Sequence, residues 1–157
     1  MSIESALYQY LLSKPSIAGL VGIGTAARIF PDLAPKNDPA TQGKKLALPY
    51  IVYQGISDQP EHHVKGRAGI VHTIMQIDCY GATRVSARAL SAAVRNAMDG
   101  ARSPVFGSPS DYVNMRSCFL DIERSEFQEP TDGSEKGVYR VWQDWSMWYV
   151  EPIPALL

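Results

Sequence analysis

The sequence predicts an α+β fold, in which an antiparallel sheet of about four strands of mixed length carries two helices packed on one face. Three observations indicate this fold. An alternating, strand-like segment at 70–80 runs through a short turn into an alanine-rich segment with helical periodicity. Two long alternating segments follow towards the C-terminus, and an amphipathic helix opens the chain. Because two helices cover only one side of a sheet, we expect its other side to lack a helical layer.

Length and composition fit a single domain over 1–151 followed by a C-terminal tail at 152–157. The chain has 157 residues, of which 45% are hydrophobic and 20% charged, and its formal net charge is -1. This charge predicts no long-range attraction to nucleic acid or to an anionic membrane. The N-terminus lacks the pattern of a secretory signal, and no apolar run approaches the ~20 residues that span a bilayer. We therefore expect the chain to be made and used in the cytosol, or in something assembled there.

The first part of the chain predicts a helix, a short second helical turn and a short strand. Ser2 is a suitable N-cap for the first helix. Pro15 interrupts this helix, because proline clashes with a continuing turn, and it suits the start of a new turn at 16–21. A short strand is predicted at 27–30, where Pro31 ends it.

The middle of the chain alternates predicted strands with polar loops. The segment 34–47 is rich in proline, glycine and lysine, which predicts a mobile loop before a strand at 48–54. A second polar loop is predicted at 57–69. It leads into the strand at 70–80, whose apolar residues alternate onto one face.

The second half predicts one capped helix and a long hairpin. Thr83 caps a helix over 84–98. Two strands at 112–127 and 138–151 are joined by a polar connection at 129–137 with an exposed tip.

The last predicted strand has large apolar side chains on both faces. Trp142 and Trp148 alternate onto one face, whereas Trp145 and Met147 alternate onto the other. An antiparallel sheet normally presents one polar face to water. We therefore expect the face without helices to contact another molecule, such as a second copy of the chain. The spacing of the tryptophans also permits a helix, and this alternative stays open.

Four carboxylates provide the main argument for an enzyme. Asp78, Asp121, Glu123 and Asp144 lie on predicted strands, and converging acidic side chains could hold two Mg²⁺ ions for phosphodiester cleavage. No catalytic lysine follows at motif spacing, and carboxylates on a solvated sheet face are common. We therefore expect that the chain is not an enzyme. The alternative is a metal-dependent nuclease that uses these four residues.

Other chemistry-bearing residues form no recognisable motif. His62 and His63 are adjacent in a polar loop and would point apart, so they predict no metal site. Cys79 and Cys118 lack clustered spacing, which predicts reduced, buried thiols. We expect no catalytic residue, no metal and no cofactor.

Charged side chains on the predicted helix and in the second loop are candidate contacts with a partner. The three arginines of the helix share one side, which indicates either a solvated face, a contact with an acidic neighbouring subunit, or a contact with passing DNA. The polar loop at 57–69 lies between two core strands, and this position suits docking. The candidate interface residues are Arg84, Arg88, Arg95, Glu61, His62, His63, Lys65, Arg67, Trp142 and Trp148.

Several segments together resemble the tail completion, or tail terminator, proteins of long-tailed phages, including their prophage and gene transfer agent relatives. The similarity spans most of residues 2–150. The segments that carry it are 2–12, 17–22, 28–31, 48–53, 76–80 with the alanine-rich helix that follows, and 139–149.

The resemblance implies a hexameric ring that caps the tail tube, stops its polymerisation and provides the head-joining surface. The implied partners are copies of the chain itself, the major tail tube protein and the head connector or stopper protein. DNA is implied only as passing cargo, and no membrane is involved. The implied location is the head–tail junction of the virion, after assembly in the host cytoplasm. Another neck or connector protein of similar fold is a further alternative.

Overall fold

The computed structural model of the chain describes residues 1–38, 44–101, 106–108, 110–130 and 136–153. Parts of the predicted loops 34–47 and 129–137, and the end of the tail 152–157, lie outside these residues. The described helices are α1 (Ile3–Leu12), α2 (Pro15–Val21) and α3 (Arg84–Met98), with a 3₁₀ turn at Gly24–Ala26. The strands are β1 (Ile29–Pro31), β2 (Tyr50–His63), β3 (Gly66–Gly81), β4 (Phe106–Ser108), β5 (Asp111–Gln128) and β6 (Val138–Val150).

The strands form one sheet with the order β1-β2-β3-β6-β5-β4. The pairs β2–β3, β3–β6, β6–β5 and β5–β4 are antiparallel, whereas β1 runs parallel to β2. The predicted α+β class is confirmed, but the predicted numbers of strands and helices are too small. The described residues contain six strands and three α-helices. The short elements β1, β4 and α2 hold only three to seven residues, which is too few for a clear periodic pattern.

Helix boundaries follow local signals in the sequence. The Ser2 hydroxyl caps α1 by accepting a hydrogen bond from the Ser5 amide at 3.2 Å. Pro15 occupies the first position of α2, where its missing N–H has no cost. The Thr83 hydroxyl caps α3 in the same way, at 3.1 Å from the Ser86 amide. None of the helices in the described part of the chain has the length and hydropathy required to cross a bilayer.

The predicted loop at 57–69 is wrong, because most of this segment continues the β2–β3 hairpin. Pro60 pairs with Val71, and His62 pairs with Arg67. The last residue pair between β3 and β6 joins Ile70 to Val150, so the hairpin continues beyond it as a two-stranded ribbon, here called the ribbon (residues 61–69). Its side chains are mostly exposed. The two strands of the ribbon cover no core, so they need no alternation of apolar and polar residues. From the sequence alone, their polar composition is therefore typical of a loop.

The described ends of the predicted loop 34–47 are also paired. Asn37 and Lys45 form an isolated antiparallel bridge, and the Asp38 amide donates to the Lys44 carbonyl at 2.8 Å. These hydrogen bonds hold the two ends of the segment together.

One hydrophobic core lies between the helices and a single face of the sheet. It contains buried residues of α1, α2 and α3 together with alternate residues of the strands. In β6 the buried residues are Val141, Gln143, Trp145 and Met147, so the strand prediction is confirmed and the helical alternative is wrong. Burying each large aliphatic side chain stabilises the fold by about 1.5–3 kcal/mol. The predicted buried face of β3 is confirmed at Val71, Thr73, Met75, Ile77 and Cys79.

Candidate interaction surfaces

The opposite side of the sheet, here called the helix-free face, carries many large side chains. It consists of the strand residues that alternate with the buried core positions, and the strand register aligns them in rows. One such row joins Ile74, Ser146 and Phe119. Phe119 is 50% exposed and Ile122 is 43% exposed. The large side chains of this face are Phe30, Tyr50, Val52, Ile70, Ile74, Tyr80, Phe119, Ile122, Trp142, Trp148 and Val150.

Sequence alternation located Trp142 and Trp148 on this face but missed Phe119 and Ile122. Strand β5 has irregularities between Met115 and Ser117 and between Leu120 and Ile122. A β-bulge inserts one residue and shifts the alternation that follows it. The face of each β5 residue therefore depends on the observed register.

An arginine between two carboxylates lies among the aromatic side chains of the helix-free face. Arg140 donates to Asp78 Oδ2 at 2.7 Å and to Glu126 Oε1 at 3.1 Å. Its guanidinium carbon is 4.2 Å from the centre of the Trp142 ring, a distance typical of cation–π contacts. The Nε of Arg140 is buried and has no hydrogen-bond partner among the described residues. These contacts hold the guanidinium group of Arg140 in one position on the helix-free face.

The pKa values of this cluster favour its charged form. Burial alone would lower the pKa of Arg140, but the hydrogen bond and charge of Asp78 outweigh burial, and the pKa is raised. Hydrogen bonds from Gln128 and Arg140 lower the pKa of Glu126. Arg140 and Glu126 therefore stay ionised at neutral pH.

Aromatic stacking orders both ends of the helix-free face. The rings of Tyr50 and Tyr80 stack with their centres 4.8 Å apart, and those of His72 and Trp148 stack at 4.3 Å. His72 Nε2 and the Ser146 hydroxyl are 2.6 Å apart and share a hydrogen bond. The side chains of this surface are therefore held in place before any partner arrives.

Three tyrosines that are buried or partly buried predict a loss of stability in alkali. Desolvation, joined by the charge of Tyr80, raises the pKa of Tyr50 to about 12, and desolvation is also the main cause that raises the pKa of Tyr53 and Tyr149 to about 12. These tyrosine side chains ionise near pH 10 in the unfolded chain and only near pH 12 in the folded chain. Their contribution to the free energy of unfolding is therefore fully present below about pH 10 and is lost as the pH rises towards 12. Phenolate absorbance should show a late-titrating group of tyrosines, reduced in Tyr50→Phe. Titration of every tyrosine near pH 10 would contradict this.

The three arginines of α3 lie along the flank of the helix that borders β5. All three are exposed. Arg95 Nη1 is 3.6 Å from Glu123, and Arg88 is 3.5 Å from the Ser125 hydroxyl, so both reach towards β5. Arg84 and Arg88 border a groove of about 160 Å³ beside Phe127 and Tyr139. Their predicted role at an interface stays a prediction.

The solvent side of α3, which consists of the exposed residues of this helix, combines the three arginines with small apolar side chains. Helical spacing predicts that Ala89 lies with Leu90 and Val94 on the apolar side, opposite the arginines. This prediction is wrong, because Ala89 is exposed. Val85 is 79% exposed, and Ala92 is exposed as well. The core face of α3 is instead formed by Ala87, Leu90, Ser91, Val94 and Met98.

The ribbon carries the remaining candidate residues. Glu61, His62, His63 and Lys65 are exposed. At its base Arg67 forms an ion pair with Glu151 at 3.3 Å. The ten candidate interface residues therefore lie on three separate surfaces: the helix-free face, the solvent side of α3, and the ribbon.

The four carboxylates of the nuclease alternative do not converge. Asp78 and Asp144 lie on the helix-free face by register, whereas Glu123 lies on the helical side, where it accepts a hydrogen bond from buried Gln143 at 3.2 Å. Asp121 lies at the irregularity of β5. Across the described ranges, no group of three or more histidine, cysteine or acidic side chains could hold a metal ion.

The prediction of reduced, buried thiols is confirmed. Cys79 and Cys118 are both free and buried. Burial raises the pKa of both thiols, to about 12 for Cys118. Such thiols are poor nucleophiles and react slowly.

An α+β domain with a helical layer on one side and a large apolar face on the other is the architecture of a protein that contacts other proteins. The profile of the family described as tail completion protein gp17 matches residues 5–144. The chain belongs to this family, as the resemblance in the sequence indicated, and it is a structural protein of phage-type tails.

A solved structure gives an independent likeness of fold. The chain is similar to one in the "Virion of native gene transfer agent (GTA) particle", with a TM-score of 0.66 and 18% sequence identity. The similarity covers 95% of each chain. At this identity the likeness concerns the fold. No curated protein sequence matches the chain.

Proposed function

We propose that the chain is a tail terminator: it forms a ring on the head-proximal end of the tail tube, stops tube polymerisation and presents the surface to which the head is joined. The observation that carries the proposal is the match to the tail completion family over residues 5–144. The virion context of the structural neighbour supports it. The ring is a homo-hexamer at the head–tail junction, assembled in the host cytoplasm, through which DNA passes as cargo.

The distribution of surfaces supports a ring. Closed cyclic symmetry requires two different neighbour-facing surfaces on each subunit. The helix-free face and the solvent side of α3 lie on opposite sides of the domain and supply two such surfaces.

The two hairpins suit contacts along the tail axis. The ribbon extends from one end of the sheet, beyond the residue pair Ile70–Val150. The connection from β5 to β6 follows the pair Gln128–Val138 at the other end. In the proposed ring, one end meets the major tail tube protein and the other meets the head connector or stopper protein.

The test is particle production without this chain. We expect tubes longer than those made in its presence, together with DNA-filled heads that carry no tail, and the full chain supplied in trans should restore both. Tails of normal length joined to heads would contradict the proposal. Tails of normal length that stay unattached to heads would indicate that the chain is a neck protein and does not control tail length.

A further inference from the structure

We propose that the helix-free face of one copy packs against the solvent side of α3 of the next copy around the ring. This inference rests on the proposed function and deepens it, because it names the two surfaces that form the subunit contact. The solvent side of α3 consists of its exposed residues, Arg84, Val85, Arg88, Ala89, Ala92, Arg95 and Asn96.

The helix-free face has more exposed apolar surface than a solvated sheet requires. Phe119 and Ile122 are 50% and 43% exposed, and Trp142 and Trp148 are partly exposed beside them. Apolar area of this kind gains free energy when a partner removes it from water. The face is also ordered in advance by the stack of His72 on Trp148, which lowers the entropic cost of docking.

The solvent side of α3 has a shape that suits this face. Val85, Ala89 and Ala92 are spaced by four and three residues, so they form one exposed stripe along the helix. None of them belongs to the buried positions of α3. Small side chains at a contact allow a helix to approach closely, so large side chains of a sheet can pack against this stripe.

The two surfaces have opposite charge. The segment 84–98 contains three arginines and no carboxylate. By register the helix-free face has three carboxylates, Asp78, Glu126 and Asp144, and two arginines, Arg124 and Arg140, which leaves a net charge of -1. Arg116 and Asp121, at the two irregularities of β5, carry opposite charges, so counting both leaves this sum unchanged. Asp78 and Glu126 already bind Arg140. Arg95 is likewise paired with Glu123 of its own copy. Neither Asp144 nor Arg84 forms an ion pair within the described residues, so Asp144 can accept Arg84 of the neighbouring α3.

A face-to-face arrangement of two helix-free faces fits less well. It would place surfaces of the same negative sign against each other, and an isologous contact closes after two copies. A contact between two different surfaces repeats around a ring. Charge and symmetry together therefore favour the solvent side of α3 as the surface that packs against the helix-free face.

The test is cysteine cross-linking in assembled particles. Ala92→Cys places a thiol on the α3 stripe and Ile122→Cys places one on the helix-free face, while native Cys79 and Cys118 are buried and give little background. With a short bismaleimide, a chain carrying both substitutions should form a ladder of covalent multimers up to the ring number. Each single variant should stay monomeric. A chain that combines Ile122→Cys with Thr25→Cys, an exposed position outside both surfaces, should form no ladder.

The outcomes distinguish a failure of the proposed subunit contact from a failure of the proposed terminator function. Dimers from Ile122→Cys alone would demonstrate a face-to-face contact and overturn the inference. Absence of the ladder from the doubly substituted chain, with that chain present at the tail end, would also overturn it and leave the terminator function intact. Absence of the unsubstituted chain from the particles would overturn the terminator function, and this inference with it.

Discussion

Replacing Trp145 with alanine is expected to lower the free energy of unfolding by about 3–5 kcal/mol. The Trp145 side chain is fully buried in the core, and its Nε1 donates to Gln143 Oε1 at 3.2 Å. Gln143 is also fully buried, and its Nε2 donates to the Ser91 carbonyl at 3.0 Å. The substitution leaves a cavity and removes the partner of a buried amide oxygen, and both effects destabilise. Equilibrium unfolding in urea measures the loss.

Trp148→Ala is the matched control, because Trp148 lies on the same strand and on the opposite face. It loses the stack on His72 and should cost about 1 kcal/mol. We expect Trp148→Ala to reduce incorporation into particles while leaving the monomer folded. Equal losses of stability from both substitutions would mean that both faces are buried in the monomer, and that result would contradict the role of the helix-free face.

Asp78→Ala is expected to destabilise by about 3–5 kcal/mol, because it removes the more buried of the two carboxylates that compensate the largely buried charge of Arg140. The side chains of Arg140 and Asp78 are only 16% and 8% exposed. Glu126 also binds Arg140, but its side chain is 41% exposed, so it compensates the charge less well. The measurement is again equilibrium unfolding, compared with the unsubstituted chain.

Two further variants identify the cause of that loss. Glu126→Gln removes the exposed partner alone and should change stability little. Asp78→Val combined with Arg140→Met removes both buried charges and should recover much of the stability lost in Asp78→Ala, because apolar replacement of a buried ion pair is often neutral. A double variant as unstable as Asp78→Ala would show that the unpaired charge is not the cause.

Local signals in the sequence determined several elements in detail. Helix α3 begins after Thr83 and ends at Met98, as predicted, because an N-cap and an amphipathic stripe act over a few residues. Pro15 marks the boundary between α1 and α2 for the same reason. The two faces of β6 also followed from alternation alone, since that strand is paired on both sides without an interruption in its own residues.

Features that depend on long-range pairing could not be predicted. Asp78 and Arg140 are 62 residues apart in the chain, and only the register of β3 and β6 brings them together. The sequence of the ribbon predicts a loop, because its strands cover no core and therefore lack apolar alternation. The first irregularity of β5 places Phe119 on the helix-free face, and the second returns Ile122 to that face. No local pattern in the sequence marks either irregularity.

The candidate interface could be predicted in part. Trp142 and Trp148 were identified because large apolar residues on both faces of one strand are unusual in an antiparallel sheet. Which surfaces of two copies pack together could not be predicted, because this depends on the charge and exposure of side chains in the folded chain. The exposure of Val85 and Ala89, for example, depends on how α3 is rotated against β3 and β6.

The most direct test of the account is an electron cryo-microscopy reconstruction of the head–tail junction of particles that contain this chain. We expect a ring of copies on the head-proximal end of the tail tube, each with its helix-free face covered by a neighbouring copy. Copies located along the tube or at its distal end, or a ring whose helix-free faces are open to solvent, would contradict it.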